Sequence, residues 1–227
     1  CLDSILAQET DFDFEILVGD DASTDGTTKI LQEYVQLHPQ RIVAVQRQTN
    51  LGPVANSSDL LRRARGQYIA LCEGDDYWIN SGKLQAQANH LDQHPRCAAH
   101  FHPVKVIDET APSGFDVFPK GLDGQAFGTD QIVQTNFVPT NAVMYRRSER
   151  LLELFEANVS DTAMPLDWLG HIVASRLGEL HMAQALMGVS RKHADGIWYQ
   201  HTGATSLCKW GMQHVELHAQ AMRVTGT

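Results

Sequence analysis

Basic residues are in short supply. Eighteen Lys plus Arg stand against 27 Asp plus Glu, a formal net charge of −9 over 227 residues. That sign is wrong for a duplex-binding face, so nucleic acid is not an expected partner. Cysteine is scarce too: Cys1, Cys72, Cys97 and Cys208 lie far apart and form no C-x-x-C pair. This argues against a disulfide scaffold or a structural zinc knuckle and points to a reducing, cytoplasmic setting. No stretch approaches the ~20 apolar residues of a spanning helix, and the first residues show neither a basic segment nor a cleavable apolar one. Neither a membrane crossing nor a secretion signal is expected. Tracts biased toward disorder, collagen or coiled coil are also missing, as are internal repeats.

What remains is an ordinary globular composition, 43% hydrophobic and 20% charged, long enough for one substantial core. The opening CLDSILAQ reads as the interior of an amphipathic helix with Leu2, Ile5 and Leu6 on one side. It starts with Cys, so the chain is expected to be a fragment whose first element lies upstream.

The apolar run FEILVG predicts a strand over 14–19 that delivers its C-terminal end into the polar loop DDASTDGT. Ile30, Tyr34 and Leu37 then repeat at helical spacing over 27–37, and Pro39 closes the segment. A strand over 42–45, a turn at Asn50–Pro53, a helix reaching Arg65, a strand over 68–72 and a helix marked by Leu84, Ala88 and Leu91 follow. Strands alternating with helices at these lengths demand an α/β fold: right-handed crossovers and a mostly parallel, Rossmann-like sheet with helices on both faces. Beyond 100 the pattern loosens into a strand over 98–107, loops over 108–128, a strand over 141–145, helices over 149–156 and 166–177, a strand over 178–189 and a closing helix over 206–222. No linker separates the halves, so 1–100 and 101–227 belong to one continuous domain.

Open sheets of this kind hold ligands beyond the carboxyl ends of their strands, and two acidic clusters fall there. In Glu73-Gly74-Asp75-Asp76 three carboxylates crowd four residues. A divalent cation would relieve their repulsion, and hard oxygen donors suit magnesium or manganese. The competing reading is an acidic loop in which Asp75 or Asp76 caps the next helix. In the second cluster, Asp20-Asp21-Ala22-Ser23-Thr24-Asp25-Gly26-Thr27, a carboxylate could accept the imino hydrogen of a uracil, or Ser23 or Asp25 could simply cap the following helix. His90/His94 and His214/His218 have i, i+4 spacing without the Glu of H-E-x-x-H and read as surface helix residues rather than zinc ligands. Trp78 and Trp210 read as packing residues, Trp78 being near enough to the acidic turn to line a sugar pocket.

Taken together, SILAQETDFDFEILVGDDASTDGT, NLGPVAN, RGQYIALCEGDDYW and KLQAQANHL stand in an order and spacing that resembles the nucleotide-binding half of family 2 glycosyltransferases, the inverting enzymes of GT-A fold. The EGDDYW form looks like a bacterial subgroup. The resemblance implies that 1–100 is the nucleotide-sugar-binding half, its first strand missing, and that 101–227 is the acceptor-binding half. It implies that Asp75 ligates the metal bridging a donor diphosphate, that Asp21 with Asp20 holds the base, and that Glu73 and Asp76 support the site. Ser23, and Asn50 in the NLGP word, belong to the same nucleotide-holding set. Asp167, in PLDW at a helix start, falls where the family places its catalytic base, although the helix dipole alone also favours an acid there. Arg191-Lys192-His193, opening RKHADGIW, is similar to a word of the subgroup that would neutralise the leaving diphosphate, with His193 as metal ligand or phosphate contact. The implied partners are a nucleotide-sugar donor, with uridine as the expected base, and a glycan or lipid-linked glycan acceptor; a peripheral position on the inner membrane face stays open. A nucleotidyltransferase and a non-catalytic nucleotide- or glycan-binding relative are the alternatives.

Overall fold

The computed structural model describes residues 1–110, 114–122, 124–159 and 165–194. The expected helix over 206–222, His214/His218, Trp210 and the end of the RKHADGIW word lie outside them. The element order is α1 (Leu2–Leu6), β1 (Ile16–Asp20), α2 (Thr27–Leu37), β2 (Ile42–Gln46), α3 (Gly52–Arg63), β3 (Tyr68–Ala70), β4 (Tyr77–Trp78) and α4 (Lys83–Gln93). It continues with β5 (Cys97–Phe101), β6 (Val104–Asp108), β7 (Asp116–Phe118), β8 (Ala126–Phe127), α5 (Thr129–Ile132), a 3-10 turn (Thr140–Ala142), β9 (Met144–Arg146), α6 (Glu149–Val159), α7 (Leu166–Ser175), β10 (Glu179–Met182) and β11 (Gly188–Lys192).

The α/β alternation of the first hundred residues is present, and β1 and β2 pair in parallel from Ile16↔Ile42 to Asp20↔Gln46. Helix α2 buries Leu31 against Ile16 and Ile42, the centre of a small core of its own. The expectation of a mostly parallel sheet needs correction. Among the described residues three ladders are parallel and five antiparallel, in sheets ordered β1-β2, β3-β9-β5-β10-β8 and β4-β11-β6-β7. The reason is β9, which arrives from the second half of the chain and inserts between β3 and β5, antiparallel to both.

Two expected strands are each split. The run 98–107 breaks at His102-Pro103, where proline has no amide to give to a ladder. The run 178–189 also breaks, between β10 and β11, with no proline in the gap. Because β5 pairs with β10 and β6 with β11, both in parallel, two strands run side by side out of the five-stranded sheet into the four-stranded one. Buried side chains tie this junction together. Gln87 Nε2 donates to the carbonyls of His100 and Ala142 at 2.8 and 2.9 Å, Asn141 Nδ2 to that of Val189 at 2.8 Å, and Trp78 Nε1 to that of Asn141 at 2.8 Å. Breaking one would strand a buried polar group at a cost of about 1–3 kcal/mol.

Side-chain alternation along β9 sets the layers. Met144 joins Leu84, Ala88 and Leu91 of α4, while its neighbour Tyr145 points the other way, into the larger core built on α7. Trp168, Leu169, Ile172 and Val173 of α7 are buried in that core, each burial worth roughly 1.5–3 kcal/mol. Among the described residues no ladder joins β1 to β3, and a cleft lined by Ile16, Leu17, Tyr68 and Ile69 passes there. No helix among the described residues is long and apolar enough to cross a membrane.

Candidate active site

Strand β3 runs out at Ala70, and the chain turns through Glu73–Asp76 before β4 pairs antiparallel with β11, Tyr77 opposite Val189 and Trp78 opposite Gly188. That pairing brings residues 191–193 past the acidic turn. The Arg191 amide donates to Asp76 Oδ1 at 2.8 Å, and His193 Nε2 stands 3.1 Å from Asp75 Oδ2. Asp76 is 3% exposed, whereas the side chains of Asp75 and His193 remain 45% and 24% exposed toward the cleft.

Charge in this turn is poorly compensated. Glu73 opens to the cleft on one side but protein surrounds the rest; burial pushes its carboxyl up to about 8, with repulsion from Asp76, Asp167 and Asp75 adding to it. Asp76 is pushed up to about 6, again chiefly by burial, although the Arg191 amide pulls the other way. A hydrogen bond between the two carboxyls raises Glu73 and lowers Asp76. Lys83 offers no relief: it is fully buried, its Nζ bonded to Gln87 Oε1 at 2.7 Å and lying 4.0 Å from the Trp78 ring centre, and burial drops it to about 7. Clustered carboxylates beside one imidazole are a donor set that fits a hard divalent cation such as Mn2+ or Mg2+.

Asp167 sits in the first turn of α7, entered through Pro165. Its Oδ2 accepts hydrogen bonds from Asn136 Nδ2 at 2.9 Å and Thr140 Oγ1 at 3.3 Å, and among the described residues Oδ1 has no hydrogen-bond partner. Glu73, Asp75, Asp167, Arg191, Lys192 and His193 all line one continuous cleft of about 2970 Å³.

The nucleotide-holding residues expected from the first acidic cluster are arranged differently. Asp20 is buried and accepts from the Ser23 amide at 3.0 Å and the Thr28 hydroxyl at 2.5 Å. Asp21 accepts from the amides of Leu51 and Gly52, both at 2.8 Å, and Asn50 Oδ1 takes a second bond from Gly52 at 2.9 Å. Asp20 thus closes its own loop, and Asp21 fastens that loop to the one at 50–52. None of Asp20, Asp21, Ser23 and Asn50 lines the cleft, which instead reaches the next residues along, Pro53, Val54 and Ser57 at the start of α3.

With this geometry, the family model for glycosyl transferase family 2 matches residues 1–152. The chain belongs to that family. It is 43% identical over 198 residues to the uncharacterized protein Rv1520 of Mycobacterium tuberculosis, covering 87% of this chain and 56% of Rv1520. The chain thus spans about half the length of the curated relatives it matches. Residues 1–349 of S. aureus TarS, solved in complex with UDP, superpose with a TM-score of 0.61 at 18% identity, covering 98% of this chain and 64% of that one. The mannosyltransferase PcManGT of Pyrobaculum calidifontis, solved with GDP-Man and Mn2+, gives 0.59 at 20% identity over 98% and 59% of the two chains. At these identities the likeness establishes the fold, GT-A.

Within this family 2 chain, sequence reasoning missed three contributors. Asn136, in an unpatterned stretch after α5, and Thr140, the first residue of the 3-10 turn, orient Asp167. Glu109 accepts from Arg191 Nε at 2.8 Å, so the Arg191 guanidinium is turned toward a carboxylate rather than held free for a diphosphate. Lys192 stays exposed at the end of β11. The one signal for Glu109 in the sequence was the acidic pair Asp108-Glu109 just past the strand expected over 98–107.

Proposed function

We propose that this family 2 member transfers a sugar from a nucleotide-diphosphate donor, with uridine as the base, to a hydroxyl of a glycan or lipid-linked glycan, and inverts the anomeric carbon. The observation that carries the reading is the cleft itself: crowded carboxylates with His193 at one place along it, and at another an acid oriented by two donors, its other oxygen unengaged among the described residues. Asp167 takes the proton from the acceptor hydroxyl as that oxygen attacks the anomeric carbon from the face opposite the phosphate, and the bond to the diphosphate oxygen breaks without a covalent enzyme intermediate. Asn136 and Thr140 keep Asp167 aimed during the transfer. Asp75 and His193 would hold the divalent ion, Mn2+ or Mg2+, which when bound neutralises charge on the leaving diphosphate. Asp76 fixes the turn to β11, Glu73 supports it, and Lys192 adds positive charge at the rim, joined by Arg191 if it leaves Glu109. Asp20, Asp21, Ser23 and Asn50 act on the base through the loops they fasten. Residues 1–100 thus serve the donor and 101–227 the acceptor, in the manner of the bacterial EGDDYW-type enzymes.

The test is Asp167→Asn. Donor affinity by calorimetry should stay near wild type with Mn2+ while transfer falls roughly 10²–10⁴-fold; near-normal turnover removes Asp167 from the mechanism. A panel of nucleotide sugars sharpens the class. Release of nucleoside diphosphate supports transfer, whereas pyrophosphate would make the protein a nucleotidyl enzyme and no release a binder.

A further inference from the structure

Away from the cleft, four imidazoles and a thiol meet where the last turn of α4 lies over the paired ends of β5 and β10. His90 Nε2 is 3.0 Å from His181 Nδ1, and with Cys97 Sγ these atoms all lie within 4.8 Å of one another. None of the three residues lines the cleft. We propose that His90, His181 and Cys97 form a second metal site, selective for a zinc-class transition ion, that clips α4 to the two strands.

The donor chemistry decides the class of ion. Two imidazole nitrogens and a sulfur are soft to borderline ligands, suited to Zn2+ and unsuited to Mg2+ or Mn2+. Tetrahedral zinc with bonds of about 2.0–2.1 Å to nitrogen and about 2.3 Å to sulfur places its donors roughly 3.3–3.7 Å apart; here the two nitrogens stand 3.0 Å apart and all three donors within 4.8 Å, so the ion needs the thiol to turn from the Ala99 carbonyl, to which it donates at 3.1 Å. Three protein ligands leave the fourth place to water, and the partial exposure of His90 and His181 lets water in.

The rings are also held in place. His90 is stacked between His94, centroids 4.1 Å apart, and His100, 3.9 Å apart; two rings so nearly parallel to it must occupy its opposite faces. His94 is fixed in turn by Nδ1, 2.8 Å from the His90 carbonyl. On His181 the other nitrogen, Nε2, faces Glu179 Oε2 at 3.4 Å, which sets the tautomer that presents the Nδ1 lone pair to the site, the usual arrangement behind a metal-bound histidine. Register explains the meeting: β10 pairs with β5 at Glu179↔Cys97, then shifts by a bulge so that His181 falls opposite His100. On binding, the Cys97 thiol loses its proton to solvent and the thiolate bonds the ion.

The probe is Co2+ titrated into the chelator-stripped full chain, on an Asp75→Asn background so that the cleft does not compete. One equivalent should bind with the intense near-ultraviolet thiolate-to-cobalt absorption, and one equivalent of Zn2+ should remove it. The band should vanish in Cys97→Ser, persist in Cys72→Ser, and require at least a hundredfold more Co2+ in His181→Gln. Glu179→Gln, a surface change that leaves packing alone, should weaken binding about 10- to 100-fold. At a hundredfold excess over its dissociation constant, Zn2+ should raise the melting temperature by about 5–10 °C. No thiolate band, or a band unchanged in folded His181→Gln, overturns the site. These readouts do not pass through sugar transfer, so failure here and failure of the transferase reading are separable.

Discussion

Two acidic turns leave the C-terminal ends of two strands in this molecule, and they have opposite fates. After β1, Asp20 and Asp21 are met by the hydroxyl of Thr28 and the backbone amides of Ser23, Leu51 and Gly52. After β3, Asp76 receives the Arg191 amide and the Ser190 hydroxyl from a neighbouring strand, while among the described residues Asp75 meets His193 and Glu73 faces the other acids. The first turn is closed on itself and is structural glue. The second is short of donors, so that Glu73 keeps a proton, and it opens on the cleft. An acidic word at a strand end is therefore not a site in itself; it becomes one where the fold withholds hydrogen-bond donors.

The largest contrast is expected from Asp75→Ala against Asp21→Ala. The first should lower Mn2+-dependent donor affinity by at least a hundredfold in calorimetry, roughly 2.7 kcal/mol. The second should leave the dependence on Mn2+ intact and show up as lost stability; a metal dependence abolished by Asp21→Ala would erase the distinction between the turns. Next in size, Asp20→Asn should destabilise by about 1–2 kcal/mol in denaturant unfolding at pH 7, as expected for a buried carboxylate that accepts two hydrogen bonds.

Opposite pH responses give a finer test. Asp20 is held below its ordinary 3.8: burial opposes this, but the Ser23 and Thr28 hydrogen bonds outweigh it. Its stabilisation is present above about pH 3.8 and lost as pH falls through the lower native value. Glu73, raised from 4.5 to about 8, keeps a proton in the native chain that the unfolded chain gives up. Stability from that proton is full below 4.5 and lost as pH rises through about 8. The smallest expected effect follows: without added metal, Glu73→Gln should raise the melting temperature by a few degrees at pH 9 and by nothing at pH 4. A variant no more stable than wild type at pH 9 would mean that Glu73 is not strained by its neighbours.

Much of this was legible beforehand. Helix α2 occupies the stretch its apolar spacing predicted, because its signals are local: glycine before it, period 3.6 within it, proline after it. Pro103 was a legible break that a continuous apolar run disguised. The insertion of β9 between β3 and β5 had no signal in a three-residue strand. Asn136 and Thr140 could not be singled out either, since a polar residue in an unpatterned loop acquires a role only from the carboxylate it meets. His90 and His94 read as surface residues for the same reason: the spacing along α4 was visible, but His181 lies 91 positions away.

By itself the sequence determined which segments form strands and helices in the first hundred residues, and where carboxylates leave strand ends. Apolar period, glycine, proline and caps act between neighbours in the chain. Which carboxylates are met by hydrogen-bond donors was decided by the fold, through amides 30 or 31 positions away for Asp21 and 115 for Asp76. Hydrogen bonds and charge repulsion depend on separation in space, and at those distances along the chain only tertiary pairing sets it.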